Sequence, residues 1–350
     1  MDMNQNLHIA LSSHSLLRML LLAVGGFVVS MILTPLYTTI AFKLQLWKRP
    51  RETTVTGQQA TIVAQLHAEK RKTKRPTMAG VLFIVTVGLL TMWFNLTRSQ
   101  TWLPLAAFFG AGIVGFIDDI FNLRSNGKGT AGLRPKLKLL LTTIVALIGG
   151  WFFYSRLGVS TIHWPGVHAA VHIGWWIIPL FVLVVVSSAN AVNISDGVDG
   201  LAGGLTAIAF GAYALIAILE RKYGIAGFCL TLVGTLLSYT WFNVFPARFL
   251  MGDVGSFCLG TALGVVAMQT DTVLLLPVIG VVFVAEAGSV LLQITSKKLR
   301  NGKKLFRVSP VHYLFQVIGW PETKVAERFW LVGLFGGLVG LVLFVLGWYA

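Results

Sequence analysis

The sequence predicts an all-α polytopic membrane protein of about ten transmembrane helices with both termini outside. Three observations predict it. Of 350 residues, 55% are hydrophobic and 12% charged, and the mean hydropathy is +0.76, a composition that excludes a soluble globular domain. The apolar residues are gathered into runs of the length a bilayer demands, about 20 residues for a helix. The basic residues are gathered into alternate loops between those runs.

Ten runs qualify, roughly 16–42, 78–96, 102–117, 137–154, 173–194, 201–219, 223–245, 254–270, 272–295 and 326–349. The first has no basic stretch before it and is too long for a signal-peptide core, so it reads as a retained span. The third is short. Cys229 and Cys258 fall inside the seventh and eighth runs, where they read as small buried side chains and imply no disulfide framework. The longest polar stretches, 43–77 and 296–325, are single loops, and no short-period repeat divides the chain, so residues 1–350 read as one integral domain.

The formal charge of +15 raises the question of nucleic acid, and its distribution answers it. Of the 28 Lys and Arg, 23 lie in or at the edges of the loops that follow odd-numbered runs. The positive-inside bias makes those loops cytoplasmic and places both termini outside. The charge is therefore topology and attraction to anionic lipid, and no nucleic-acid partner is expected.

Ionisable residues at the edge of a span are costly, which makes them functional candidates. The chain has 13 Asp and Glu. Three groups sit where an apolar run meets a cytoplasmic loop: "GFIDDIFN" with Asp118 and Asp119, "NAVNISDGVDGLAGG" with Asp196 and Asp199, and "FLMGDVGS" with Asp253. A fourth cytoplasmic stretch, "RVSPVHYLFQVIGWPE", adds His312. Adjacent carboxylates repel, and a cation such as Mg²⁺ relieves them. Asp253 has a second reading, an N-cap for the run 254–270. The glycines of the second stretch let backbone approach a ligand or a neighbouring helix closely. The loops opposite these acids carry Lys70, Arg71, Lys72, Lys74 and Arg75 in one case, and Lys128, Arg134, Lys136 and Lys138 in another. Acids able to hold Mg²⁺ beside cations able to hold phosphate describe a diphosphate site on the cytoplasmic face.

The order "KRPTMAG", "GFIDDIFN", "NAVNISDGVDGLAGG", "FPARFLMGDVGS" and "SPVHYLFQVIGWPE" resembles the phospho-N-acetylmuramoyl-pentapeptide transferase family, from about Thr77 to the carboxyl end. The "NAVNISDGVDGLAGG" and "MGDVGS" motifs are shared with the wider polyprenyl-phosphate hexosamine-1-phosphate transferase superfamily, while "SPVH" followed by "GWPE" points to the muramoyl-pentapeptide branch. The resemblance implies a Mg²⁺-dependent transfer of phospho-MurNAc-pentapeptide from its UDP carrier to undecaprenyl phosphate, giving lipid I and UMP in the inner (cytoplasmic) membrane of a bacterium. It implies catalytic Asp118, Asp119 and Asp253, with Asp253 as the metal ligand. It implies substrate contacts from Lys72, Thr77, Asn193, Asp196 and His312, to which Lys128, Lys136, Asp199 and Asn243 are added as candidates, and it leaves a homodimer open.

The chain departs from the family pattern at several points. Asn122 stands where a Lys is usual, Tyr313 and Leu314 follow His312 where further histidines are usual, and Leu250 stands where a Phe stacks on uracil, with Phe249 beside it. Arg75 replaces a Thr and Ala79 a Gly. Three other readings stay open: a GlcNAc- or GalNAc-1-phosphate transferase, a transporter, since intramembrane acids also mark ion pathways, and a catalytically silent homologue.

Overall fold

The computed structural model describes residues 13–47, 74–124, 132–164 and 170–349. It is a helical bundle: α1 (Ser13–Lys43), α2 (Gly80–Phe94), α3 (Trp102–Arg124), α4 (Pro135–Ser155), α5 (Ile177–Ser195), α6 (Leu201–Leu219), α7 (Tyr223–Asn243), α8 (Gly252–Gln269), α9 (Leu276–Ile279), α10 (Val281–Leu299), α11 (Val311–Val317) and α12 (Glu322–Tyr349). A two-stranded antiparallel hairpin, β1 (Thr161–His163) with β2 (Ala170–His172), joins α4 to α5 and pairs Ile162 with Val171.

Among the described residues, seven helices are long and apolar enough to cross a membrane, and an eighth crossing is made if the Val273–Ile279 and Val281–Leu299 pair counts as one span. Each of the ten apolar runs falls on helix, with two shifts. The third was expected to stop at about 117, with the acids at its junction with a cytoplasmic loop, but α3 continues to Arg124, so Asp118, Asp119 and Asn122 lie inside a helix, buried. The ninth was expected as one straight span over 272–295; it is bent by 85° at Gly280. Both cysteines are free and buried.

The bundle is organised around α8, every residue of which is buried. A helix covered on all sides needs small residues where its neighbours cross. α8 packs against α3 and α5, α1 packs against α7, α6 lies between α7 and α12, and α4 packs on α5. At Gly115 of α3, a Cβ would collide with the Asp253 carbonyl oxygen, so only glycine lets the carboxyl-terminal half of α3 reach the first turn of α8. That crossing brings "DD" beside "GD".

Hydrogen bonds fix which helix ends share a side. Thr77 N–H donates to Leu46 O (2.8 Å), bringing the end of α1 to the start of α2. Leu250 N–H donates to Pro76 O (2.8 Å), bringing the start of α8 there as well. At the other end of the bundle, Arg18 near the start of α1 donates to Phe94 O at the end of α2 (3.0 Å). The end that collects the carboxyl termini of α3, α5 and α7 with the amino termini of α8 and α12 is where the acids meet.

Candidate functional site

Asp118, Asp119 and Asp253 are 0%, 1% and 5% exposed. Burial of a carboxylate without a partner is prohibitive, and each has partners. Lys138, in the first turn of α4, places its ammonium 3.2 Å from Asp118 Oδ2 and in a closer contact with Asp253 Oδ2, bridging the two acids. The same ammonium lies 4.3 Å from the centre of the Phe257 ring, a further favourable contact for a cation. Asp118 Oδ1 accepts the Leu133 N–H (2.6 Å). Asp253 Oδ1 accepts from Asn193 Nδ2 (3.2 Å), which also donates to Ser256 Oγ (2.8 Å).

Asp119 is placed by a different device. Its Oδ2 accepts the Val254 N–H (3.1 Å), one of the donors that the first turn of a helix leaves without an intrahelical partner. The carboxylate thus caps α8 from across the helix interface, at the positive end of its dipole. Gly252, at φ +71°, makes the turn that lets this happen; a Cβ there would strike Asp119 Oδ2. The N-cap reading of Asp253 is corrected by this arrangement. Met251 holds the cap position, no side chain caps it locally, and Asp253 sits in the first turn facing Lys138 and Asn193.

Asn193 links this cluster to the polar gap between α5 and α6, since its carbonyl oxygen accepts the Asp196 N–H (3.4 Å). Asp196 ends α5 and is half-buried. Asp199 is a hub of the fold: Oδ2 accepts from Arg75 Nη1 (2.7 Å) and from the Ala247 N–H (3.1 Å). Asn243 is likewise engaged with the backbone, accepting the Gly200 N–H (2.9 Å) and donating to Phe249 O (2.8 Å). His312 is fully buried, with its N–H and Nδ1 against the two oxygens of Glu286 (3.1 and 2.9 Å) and Nε2 packed on Gly197. Thr77 is buried, and its carbonyl oxygen accepts from Tyr37 Oη (2.7 Å).

The structure therefore brings together Asp118, Asp119, Asp253 and Asn193, joins Asp196 to them through Asn193, and gives Asp199 and Asn243 internal partners. Lys136 is exposed on α4. Lys72 and Lys128 lie outside the described residues. Phe249 stands in an aromatic core, 5.4 Å from Tyr37 and 5.7 Å from Phe242 between ring centres, and is not a free stacking surface.

Two engaged residues were not singled out from the sequence as site residues. Lys138 shares a face with Thr142, Ala146 and Phe153, the buried stripe of α4, a spacing of four that Lys136 does not fit. Glu286 is a lone acid within an apolar run, which was itself a signal.

A divalent cation fits the chemistry of the site in part. Mg²⁺ is usually held by one or two carboxylates plus substrate phosphates. Asp118 and Asp253 are two carboxylates gathered around a point where the chain itself has put positive charge. No set of three or more His, Cys, Asp or Glu is arranged as a self-sufficient metal cage among the described residues.

The model for glycosyl transferase family 4 matches residues 101–271, the stretch that carries all three aspartates and the polar gap. The chain is 37% identical over 328 residues to the phospho-N-acetylmuramoyl-pentapeptide-transferase of Geobacillus sp. (strain WCH70), covering 92% of this chain and 97% of that one. The chain belongs to the phospho-N-acetylmuramoyl-pentapeptide-transferase family. The Chloroflexus aggregans member is 37% identical over 341 residues, covering 93% of this chain and 89% of its own. The Caldanaerobacter subterraneus member is 39% identical over 264, covering 75% and 82%. α11 and α12, whose residues His312, Glu322 and Trp330 contact the polar gap, lie beyond the glycosyl transferase family 4 match.

Proposed function

We propose that the protein transfers phospho-MurNAc-pentapeptide from UDP-MurNAc-pentapeptide to undecaprenyl phosphate, forming lipid I and releasing UMP, in a bacterial inner membrane with the site toward the cytoplasm. The observation that carries the reading is the bridge from Asp118 through Lys138 to Asp253, tied by Asn193 to the glycine-rich gap. Family membership gives it a substrate pair. The basic loops on the odd side support the cytoplasmic assignment and ten crossings.

Phosphoryl transfer asks the protein for in-line positioning and neutralisation of charge. Mg²⁺, when bound by Asp253 with Asp118, supplies a Lewis acid for the diphosphate. Lys138 spaces those two carboxylates and is placed to take a phosphate oxygen as its partner. Asn193 orients Asp253 by donating to Oδ1, while Oδ2 faces the Lys138 ammonium. Asp119, held at the α8 amino terminus, faces the acceptor phosphate as an orienting group or a nucleophile. As a general base it has little to remove, because a phosphate monoester with a second pKa near ~6 is already mostly dianionic at neutral pH.

The test is incubation of purified protein with undecaprenyl phosphate, Mg²⁺ and either UDP-MurNAc-pentapeptide or UDP-GlcNAc. A lipid product from the first alone supports the proposal. A product from UDP-GlcNAc alone replaces it with a hexosamine-1-phosphate transferase, and no product from either removes the enzyme reading.

A further inference from the structure

The polar gap between α5 and α6 is irregular backbone held among packed helices, so each of its N–H groups needs a partner, and an unpartnered one costs about 1–3 kcal/mol. Its partners come from distant parts of the chain. Glu322, in the first turn of α12, accepts the Asp199 N–H on Oε1 (2.7 Å). Asn243 of α7 takes the next N–H, that of Gly200. Two turns further along α12, Trp330 packs so closely under Gly204 that a Cβ there would overlap its indole ring. α12 therefore grips this segment through two hydrogen bonds, the second donated by Trp330 Nε1 to Leu201 O (3.4 Å), and through packing under Gly204. His312 rests on Gly197. Contacts at Gly197 and at Asp199 thus restrain the turn that follows Asp196 at the end of α5.

The choice of side chain is informative. Glu322 adds a third carboxylate to a turn that already holds Asp196 and Asp199, with the Arg75 guanidinium against Asp199. An acceptor reaching the Asp199 N–H is what the position supplies.

We propose that Glu322 is a positioning residue for the sugar-nucleotide side of the site. By accepting the Asp199 N–H it holds the 196–200 turn in the course that presents Asp196 beside Asn193. The proposal rests on the transferase reading above, with the nucleotide diphosphate bound against this turn and the lipid phosphate bound at Asp118 and Asp119.

The experiment uses full-length purified protein with Glu322→Ala, Glu322→Asp and Glu322→Gln, the parent being assayed first with each nucleotide sugar. A parent that transfers from neither overturns the proposed function and this inference with it; otherwise the series uses the nucleotide sugar the parent accepts. Glu322→Ala should raise KM for the nucleotide sugar about tenfold, with kcat and KM for undecaprenyl phosphate within twofold of the parent. Glu322→Gln keeps an acceptor oxygen and should restore KM to within about twofold. Should the alanine variant fail to fold, Glu322→Asp, which withdraws the acceptor by one methylene, reads the same comparison with an expected rise of about threefold. An unchanged KM for the nucleotide sugar, an equal rise in both KM values, or a Gln variant as impaired as the Ala variant overturns the proposal.

Discussion

The two ends of the bundle both carry clustered charge, and they handle it differently. At the end away from Asp118, Asp119 and Asp253, two acids each have a basic partner of their own. Lys222 lies 3.0 Å from Glu220 and donates to Gln269 O at the end of α8 (2.8 Å). His163 of β1 pairs through its ring with Asp271, whose other oxygen accepts the His163 N–H (3.2 Å), pinning the hairpin to the bundle. The His163 and Asp271 side chains are 35% and 19% exposed. At the other end, Asp118 and Asp253 share the one ammonium of Lys138, Asp119 is held by a helix amino terminus, and all three are almost fully buried. The Glu220 and Asp271 pairs fasten loops, the first with the Glu220 side chain buried and the second part-exposed. Buried carboxylates gathered around a shared cation carry a standing demand for positive charge, and the proposed Mg²⁺ site rests on that demand.

The sharpest way to break this comparison is to neutralise one acid at each end. Asp253→Asn should lower transfer by at least about a hundredfold or raise the Mg²⁺ requirement steeply, because the amide keeps the shape and loses the charge that holds a hard cation. Asp271→Asn should leave the rate within about twofold. Equal effects in a transfer assay across a Mg²⁺ series would mean that the two ends do not differ in kind. The ends should also face different solutions. A cysteine at Lys303 should be protected from an impermeant thiol reagent in intact cells and one at Ser160 should label, and labelling at Lys303 would invert the placement of the acids.

Asp119→Asn comes next. The amide retains an acceptor for the Val254 N–H, and the lost carboxylate–dipole interaction is worth only about 0.3–1 kcal/mol, so the variant should fold. If Asp119 orients or attacks, its loss should depress the rate at every pH, since titrating the substrate cannot replace a carboxylate. If it is a base, activity should recover as pH rises above ~6 and the lipid phosphate loses its proton unaided. The first pattern is expected, and a pH–rate profile reaching the parent rate at pH 9 would refute it. Lys138→Met should follow with a loss of about ten- to a hundredfold. It leaves Asp118 facing Asp253 without their shared cation, so its melting temperature should rise more with added Mg²⁺ than the parent's, a readout independent of turnover.

What the sequence disclosed follows from the physics of each signal. Apolar runs are set by bilayer thickness, so all ten fell on helix. The three aspartates stood out because few acids occur near the spans at all. The bend at Gly280 was invisible because the run 272–295 is apolar on both sides of the break. Lys136 was preferred over Lys138 because a basic loop read as charge alone has no phase; the phase appears only when Thr142, Ala146 and Phe153 are seen to form the buried stripe to which Lys138 belongs. Asp199 and Asn243 looked like ligand contacts for the same reason that they are good clasps. A short polar side chain can serve a substrate or a neighbouring backbone N–H equally well, and the backbone contacts to Ala247 and Gly200 are visible only in the structure.

The smallest expected effect tests the matched end. Burial raises the Glu220 carboxyl from its ordinary 4.5 to about 7, against the lowering pull of Lys222. A carboxylate whose folded pKa is raised binds its proton more tightly in the folded state, so its contribution to stability is greatest below the unfolded value and is lost as pH rises through the folded one. The window therefore runs from about pH 4.5 to about pH 7. Glu220→Gln removes the ionisation. The variant should melt at about the parent's temperature near pH 4.5 and a few degrees above it at pH 8, with transfer activity unchanged at both. A difference that is constant across this range would show that Lys222 fully compensates the buried charge, and a variant less stable at pH 8 would show that the pair holds the turn between α6 and α7 more strongly than burial opposes it.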